Sequence, residues 1–184
     1  MLKNQTELSS ELQRHLQGHL EIVQQAKQFL LSISQQAYQA VLKPHFSGSA
    51  GAHMRHILDH YLAVKEGLVF GTINYNKRHR HSQVEKDPQI ALALWQDIEH
   101  WLVGVCQLDA DLALQVICES SMLESQNAET QSTLGRELVF VSSHAVHHYS
   151  LMAVIQSLQG LKVDPLFGLA PATVSHLRKQ VSQK

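Results

Sequence analysis

Apolar residues recur at helical spacing in four long segments, set apart by polar breaks that carry glycine or proline. The first segment runs from about Leu8 to Leu42, with an expected interruption near Gly18. Its repeat is Leu12, Leu16, Leu20, Val23, Phe29, Leu30 and Ile33. Pro44 and the Ser47-Gly48-Ser49 cluster close it, and Ser49 is placed to cap a second helix that reaches about Phe70. Gly71 and the polar, basic run Asn74 to His81 read as a loop. Pro88 suits the first turn of a third helix bearing Ile90, Leu92, Leu94, Trp95, Ile98, Trp101, Leu102 and Val105. The helical period lapses from Leu112 to Cys118 and again near Thr130 to Thr133. The β-branched run Gln115 to Cys118 there predicts a strand in a small hairpin. Gly135 to Leu158 restores a strong helical pattern, ended by Gly160. Phe167 to Pro171 reads as a turn, and Thr173 to Val181 as a short final helix. The expected fold is all-α: one domain, 1–184, built as an antiparallel four-helix bundle, with a small β-hairpin before the last bundle helix and a short C-terminal helix.

Composition narrows the class. At 44% hydrophobic residues in 184, the chain can bury a core and is not a disordered sequence. The net charge is -1 with no basic block, so a nucleic-acid partner held through phosphates is not expected. Two cysteines, Cys106 and Cys118, do not make a disulfide scaffold. Met1 to Arg14 is polar, without the apolar core of an export signal, and no apolar run approaches a membrane span. A cytoplasmic protein without a membrane partner is the expectation.

The candidate chemistry lies in histidine. Of thirteen histidines, six fall in two short helical stretches: His53, His56 and His60, and His144, His147 and His148. Positions i, i+3, i+4 and i+7 share a helix face. His53, His56, Ile57, His60 and Val64 form one stripe; Val141, His144, His148, Leu151 and Ile155 form another. Both stripes coincide with apolar ones, so both point into the bundle. Two histidines at i and i+4, such as His144 and His148, can aim at one ion. A third from the facing helix completes a three-histidine site with open coordination positions, the pattern of catalytic rather than structural metal sites. His56, midway along its row, is the choice for that ligand. His53 and His60 are then supporting partners or a fourth ligand, and His147 is a boundary residue. A buried histidine without metal is also an ordinary core residue once hydrogen-bonded, so a metal-free bundle stays open. The remaining histidines, His15, His19, His45, His79, His81, His100 and His176, read as surface or loop positions.

Ser49-x-Gly51-x-His53-x-Arg55-His56-Ile57-Leu58-Asp59-His60 and Ser143-His144-x-x-His147-His148-Tyr149 resemble the DinB/YfiT-like metalloprotein superfamily, and an uncharacterised bacterial branch of it. Tyr75-x-x-Arg78-x-Arg80, Arg136-Glu137-Leu138 and Phe167 to Pro171 add weaker likenesses. The resemblance implies a four-helix bundle, a divalent ion on His56, His144 and His148, and a homodimer. It also implies thiol-dependent transferase, isomerase or hydrolase activity on a small molecule, with a low-molecular-weight thiol as cosubstrate. Catalytic residues are unknown at this stage. Imidazole ligands suit zinc, nickel, iron and copper alike, so the metal stays open among zinc, nickel and iron. Tyr75, Arg78 and Arg80 are candidates for orienting a carboxylate, against the alternative of a solvated turn paired to Glu85 or Asp87. Glu137 is a candidate supporting acceptor or base, against the alternative of a carboxylate favoured by the helix dipole. The function expected is a divalent-metal-dependent transferase or hydrolase; the alternative is a non-catalytic metal-binding module in stress response or regulation.

Overall fold

Six α-helices and three strands follow one another among the described residues. The computed structural model describes residues 5–182, with side chains from residue 15 onward. In chain order the elements are α1 (Gln5–Ser32), α2 (Gln35–Gln39), α3 (Ala50–Phe70), β1 (Thr72–Asn74), α4 (Pro88–Val105), β2 (Ala113–Glu119), β3 (Asn127–Thr133), α5 (Leu134–Leu158) and α6 (Pro171–Val181). The polar opening segment falls partly outside the described residues.

Local chemistry sets the helix ends. Ser49 accepts the Ala52 amide at 3.1 Å and starts α3, and Gly71, in the left-handed region at φ 73°, stops it. Asp87 caps α4 ahead of Pro88. Thr133 accepts the Arg136 amide at 3.3 Å and starts α5. The helix expected across Leu8 to Leu42 is shorter: α1 continues through Gly18 without a break and ends at Ser32. Gly18 faces open space, so nothing there forces a kink. The break comes instead at Ser34, whose hydroxyl caps the single turn of α2.

The long helices α1, α3, α4 and α5 pack around one core, with α1 against α4 and α3 against α5 as the closest pairs. Trp95, Tyr38, Tyr61, Tyr149, Met54, Ile57 and Val141 are sealed inside. The buried aromatic polar ends find partners: the Tyr149 hydroxyl donates to the Ile22 carbonyl and the Trp95 indole to Met54 sulfur. By length and composition α5 is apolar enough to cross a bilayer. Its apolar face is spent on this core, and its inner face carries Glu137 and His148.

The all-α expectation is corrected by a three-stranded sheet in the order β1-β2-β3. β2 and β3 form an antiparallel ladder from Ala113↔Thr133 to Glu119↔Asn127, and this hairpin contains Gln115 to Cys118. β1 joins it in parallel, with Ile73 opposite Val116. A sheet with one parallel pair is not part of a plain four-helix bundle. Ile73 is fully buried, and β1 lies so close to α3 that a Cβ on Gly67 would stand 2.5 Å from Ile73 Cγ1. The sheet is thus welded to α3 just beyond its histidine row.

Candidate metal centre

Every third or fourth residue of α3 from His53 to His60 meets its counterpart on α5. The His56 ring lies 4.9 Å from that of His144 and 4.7 Å from that of His148, centroid to centroid. His60 stands 4.2 Å from His144 and 4.5 Å from His56. His53 closes the row at 5.1 Å from His148. One ring nitrogen from each of His56, His60 and His144 lies within 4.8 Å of the other two, the one such group of metal-ligating atoms among the described residues. His148 belongs to the cluster by its ring, but its Nδ1 is engaged with His53 Nδ1 at 2.9 Å. His147 is exposed and touches only the edge of the cluster, its ring 5.1 Å from His148.

The hydrogen bonds assign proton positions. His60 Nδ1–H donates to the His56 carbonyl at 2.8 Å, which leaves its Nε2 lone pair free. An outer bond of this kind orients a metal-ligating imidazole. An Arg78 guanidinium N–H donates to His56 Nδ1 at 2.7 Å. His56 therefore carries its proton on Nε2, which donates to His144 Nε2 at 3.0 Å. A cation at His56 Nε2 would require that proton at Nδ1 instead and would displace Arg78.

Burial holds these rings neutral. It lowers the His56 pKa to about 2, helped by His60 and Arg78. Burial, with His60 beside it, takes His144 to about 4; burial and His144 take His148 to about 3. His53 and His60 are shifted down as well, again mainly by burial. A neutral imidazole is the ligand form, so at neutral pH the cluster offers lone pairs without first losing protons. The donor set is all nitrogen. Asp59, the nearest carboxylate in sequence, points elsewhere: Arg55 bonds it at 2.7 Å and His79 at 2.8 Å.

Beside the cluster stand the other residues singled out from the sequence. Tyr75 stacks on His60 with ring centres 5.1 Å apart, and its hydroxyl donates to Glu137 at 2.6 Å. Glu137 is only 1% exposed and also accepts from Ser132 at 2.6 Å and Arg136 at 3.0 Å. It is thus held by three donors on the far side of Tyr75. Burial first, then the Glu137 carboxylate, raises the Tyr75 pKa and keeps the phenol protonated. Arg78 and Arg80 do not pair with Glu85 or Asp87; Arg55 takes Glu85 at 2.9 Å.

Sequence reasoning missed two parts of this region. His19, read as a surface residue, is buried, with Nδ1 2.7 Å from the Ser142 hydroxyl. Arg136 and Ser132 were not singled out as Glu137 partners, although Arg136 adjoins it in sequence.

The chain is similar to FK506-binding protein 5 of the fungus Rhizopus delemar, with 34% identity over 108 residues, which is 59% of this chain and 28% of that protein. It spans less than a third of the length of that curated relative. No protein-family model and no solved structure matches the chain. These findings correct the resemblance drawn from the histidine motifs. The DinB/YfiT-like assignment, its bacterial branch and the DinB-like four-helix label are overturned by a match to a fungal protein of another name and by the mixed sheet. The physical reason is that histidines at i, i+4 mark any helix that turns imidazoles toward a neighbour. Such spacing specifies a site, not a lineage.

Proposed function

We propose that the protein binds one divalent cation between α3 and α5 and uses it on a small-molecule substrate, in a hydrolytic or group-transfer reaction. The observation that carries this reading is the grouping of the His56, His60 and His144 ring nitrogens within 4.8 Å. His56 and His144 form its centre, and His60, with its Nδ1 already committed to a carbonyl, supplies the third nitrogen. His148 is the adjoining imidazole, steadied by His53.

Three neutral imidazoles, from His56, His60 and His144, would leave a bound ion its full charge and open positions, with which it would lower the pKa of a water and polarise a carbonyl. The protein's own part is to hold the rings neutral and to fix His60 through the His56 carbonyl. Zinc, nickel and iron all suit such a donor set. The low-molecular-weight thiol and the homodimer came from the motif resemblance alone and lose that support. FK506 binding, which the fungal relative's name states, is not carried over from a match to 28% of its length. Free Cys106 and Cys118 suit the reducing environment of a cytoplasmic protein.

A second reading rests on the nearness of His148. If that imidazole also reached the ion, four nitrogens would close the coordination sphere and leave a binding module without catalysis. Elemental analysis of untreated protein tests the shared premise. About one ion per chain is expected, with a lower melting temperature after chelation. Metal-free protein whose melting temperature ignores chelator would leave a hydrogen-bonded histidine core and end both readings.

A further inference from the structure

A cavity of about 610 Å³ opens beside the histidine cluster, between the loop that follows β1, the β2–β3 hairpin and the start of α5. His60 forms part of its wall, so cavity and cluster share a side chain. Arg78, Arg80 and Arg136 also line it, facing the carboxylates Glu119 and Glu137. Glu137 is satisfied from within the protein by Tyr75, Ser132 and Arg136. Arg136 is in turn occupied by Glu137 and by the Phe140 ring, 5.0 Å from its guanidinium carbon. That leaves two guanidinium groups for a ligand. Arg80 makes no hydrogen bond or ion pair among the described residues. Arg78 holds only a neutral imidazole nitrogen, the contact a cation at His56 would displace.

We infer that this cavity receives a small organic anion, bound through its carboxylate or phosphate oxygens by Arg78 and Arg80 next to the cation site. The inference names the substrate class of the function proposed above and rests on that reading for the reaction, though not for the binding. The guanidinium fork matches both oxyanions, because each presents two coplanar acceptors. Phe140 and Val116 on the cavity wall suit an apolar body on the same molecule. Since the cation frees Arg78, cation and anion should bind cooperatively, and the linkage must be reciprocal.

The test is calorimetric titration of the full chain with malonate and with inorganic phosphate, at matched ionic strength against a chloride control. Metal-free and zinc-loaded samples are compared, with metal content measured on each. Wild-type protein is expected to bind at least one of the two anions, more tightly when zinc-loaded. The anion that binds identifies the carboxylate or the phosphate source. Arg80→Gln and Arg78→Gln are each expected to weaken binding about tenfold, with zinc content unchanged for Arg80→Gln. No binding of either anion by protein that holds zinc would overturn the inference and spare the metal reading. Anion affinity untouched in Arg80→Gln and Arg78→Gln would overturn it as well. If zinc does not bind, the metal reading fails by itself, and titration of the same sample still decides whether the cavity is an anion site.

Discussion

His56 Nε2 lies 3.0 Å from His144 Nε2, joining the N-terminal half of α3 to the middle of α5 through two neutral rings. Tetrahedral coordination at about 2.0–2.1 Å from each nitrogen would place such atoms roughly 3.4 Å apart. The pair is therefore within a few tenths of an ångström of ligand spacing. His60 completes the group at a wider separation, so small side-chain rotations decide the third ligand.

That choice can be measured. His60→Ala is expected to weaken zinc affinity by more than the roughly 10–100-fold typical of an outer partner, and His148→Ala to stay within that range. Competitive titration with a chromophoric chelator reads both constants. The reverse order would make His148 the third ligand, as spacing along α5 alone suggests.

The buried rings also set the acid stability of metal-free protein. In the unfolded chain each imidazole titrates near 6.5. In the folded chain burial holds His56 at about 2, His148 at about 3 and His144 at about 4. Between those values and 6.5 the unfolded state binds more protons, so stability is complete above 6.5 and falls as pH drops through that window. Urea midpoints at pH 7.5, 6.0 and 5.0 should decline in that order. A flat profile would reject a cluster of buried neutral histidines.

Tyr75→Phe removes a donor from the buried Glu137 carboxylate. A hydrogen bond to a charged group contributes roughly 1.5–3 kcal/mol, and a loss of that order is expected in chemical denaturation. Glu137→Ala should cost more, because it leaves both Tyr75 and Ser132 hydroxyls without their acceptor. Equal stability of wild type and Tyr75→Phe would show that the 2.6 Å contact does not support the fold.

Gly67 gives a test with an unusual sign. In an open helix position Gly→Ala stabilises by about 1 kcal/mol. Here the new methyl would meet Ile73 Cγ1 at 2.5 Å and the Ile73 Cα at 2.9 Å. Gly67→Ala is expected to destabilise by about 1–3 kcal/mol, the usual cost of overpacking. A gain in stability would mean β1 does not press on α3.

Much of the helical framework was legible because it is written locally. Ser49 and Gly71 bracket α3, and Pro88 starts α4 within a few residues of where a cap is needed. The facing of the histidine rows was legible for the same reason, since i, i+3, i+4 and i+7 spacing is a property of one helix. What escaped was non-local. Thr72-Ile73-Asn74 carries no strand signal of its own; it becomes β1 only by pairing with Gln115 to Ile117. Polar Asn127 to Thr133 is likewise held as β3 by its ladder to β2. His19 reads as surface until Ser142, on a distant helix, supplies its hydrogen bond. The identity of the third histidine also lies beyond helical spacing, because it depends on tertiary placement: the His60 ring nitrogen groups with those of His56 and His144, while His148 bonds His53 through Nδ1.

Anomalous diffraction at the zinc edge, from crystals grown with zinc, decides whether a cation sits between α3 and α5. A peak is expected between the two helices, about 2.0–2.1 Å from one ring nitrogen each of His56 and His144, with Arg78 withdrawn from His56 Nδ1. Zinc-grown crystals with no peak there, and with Arg78 still bonded to His56, would contradict it.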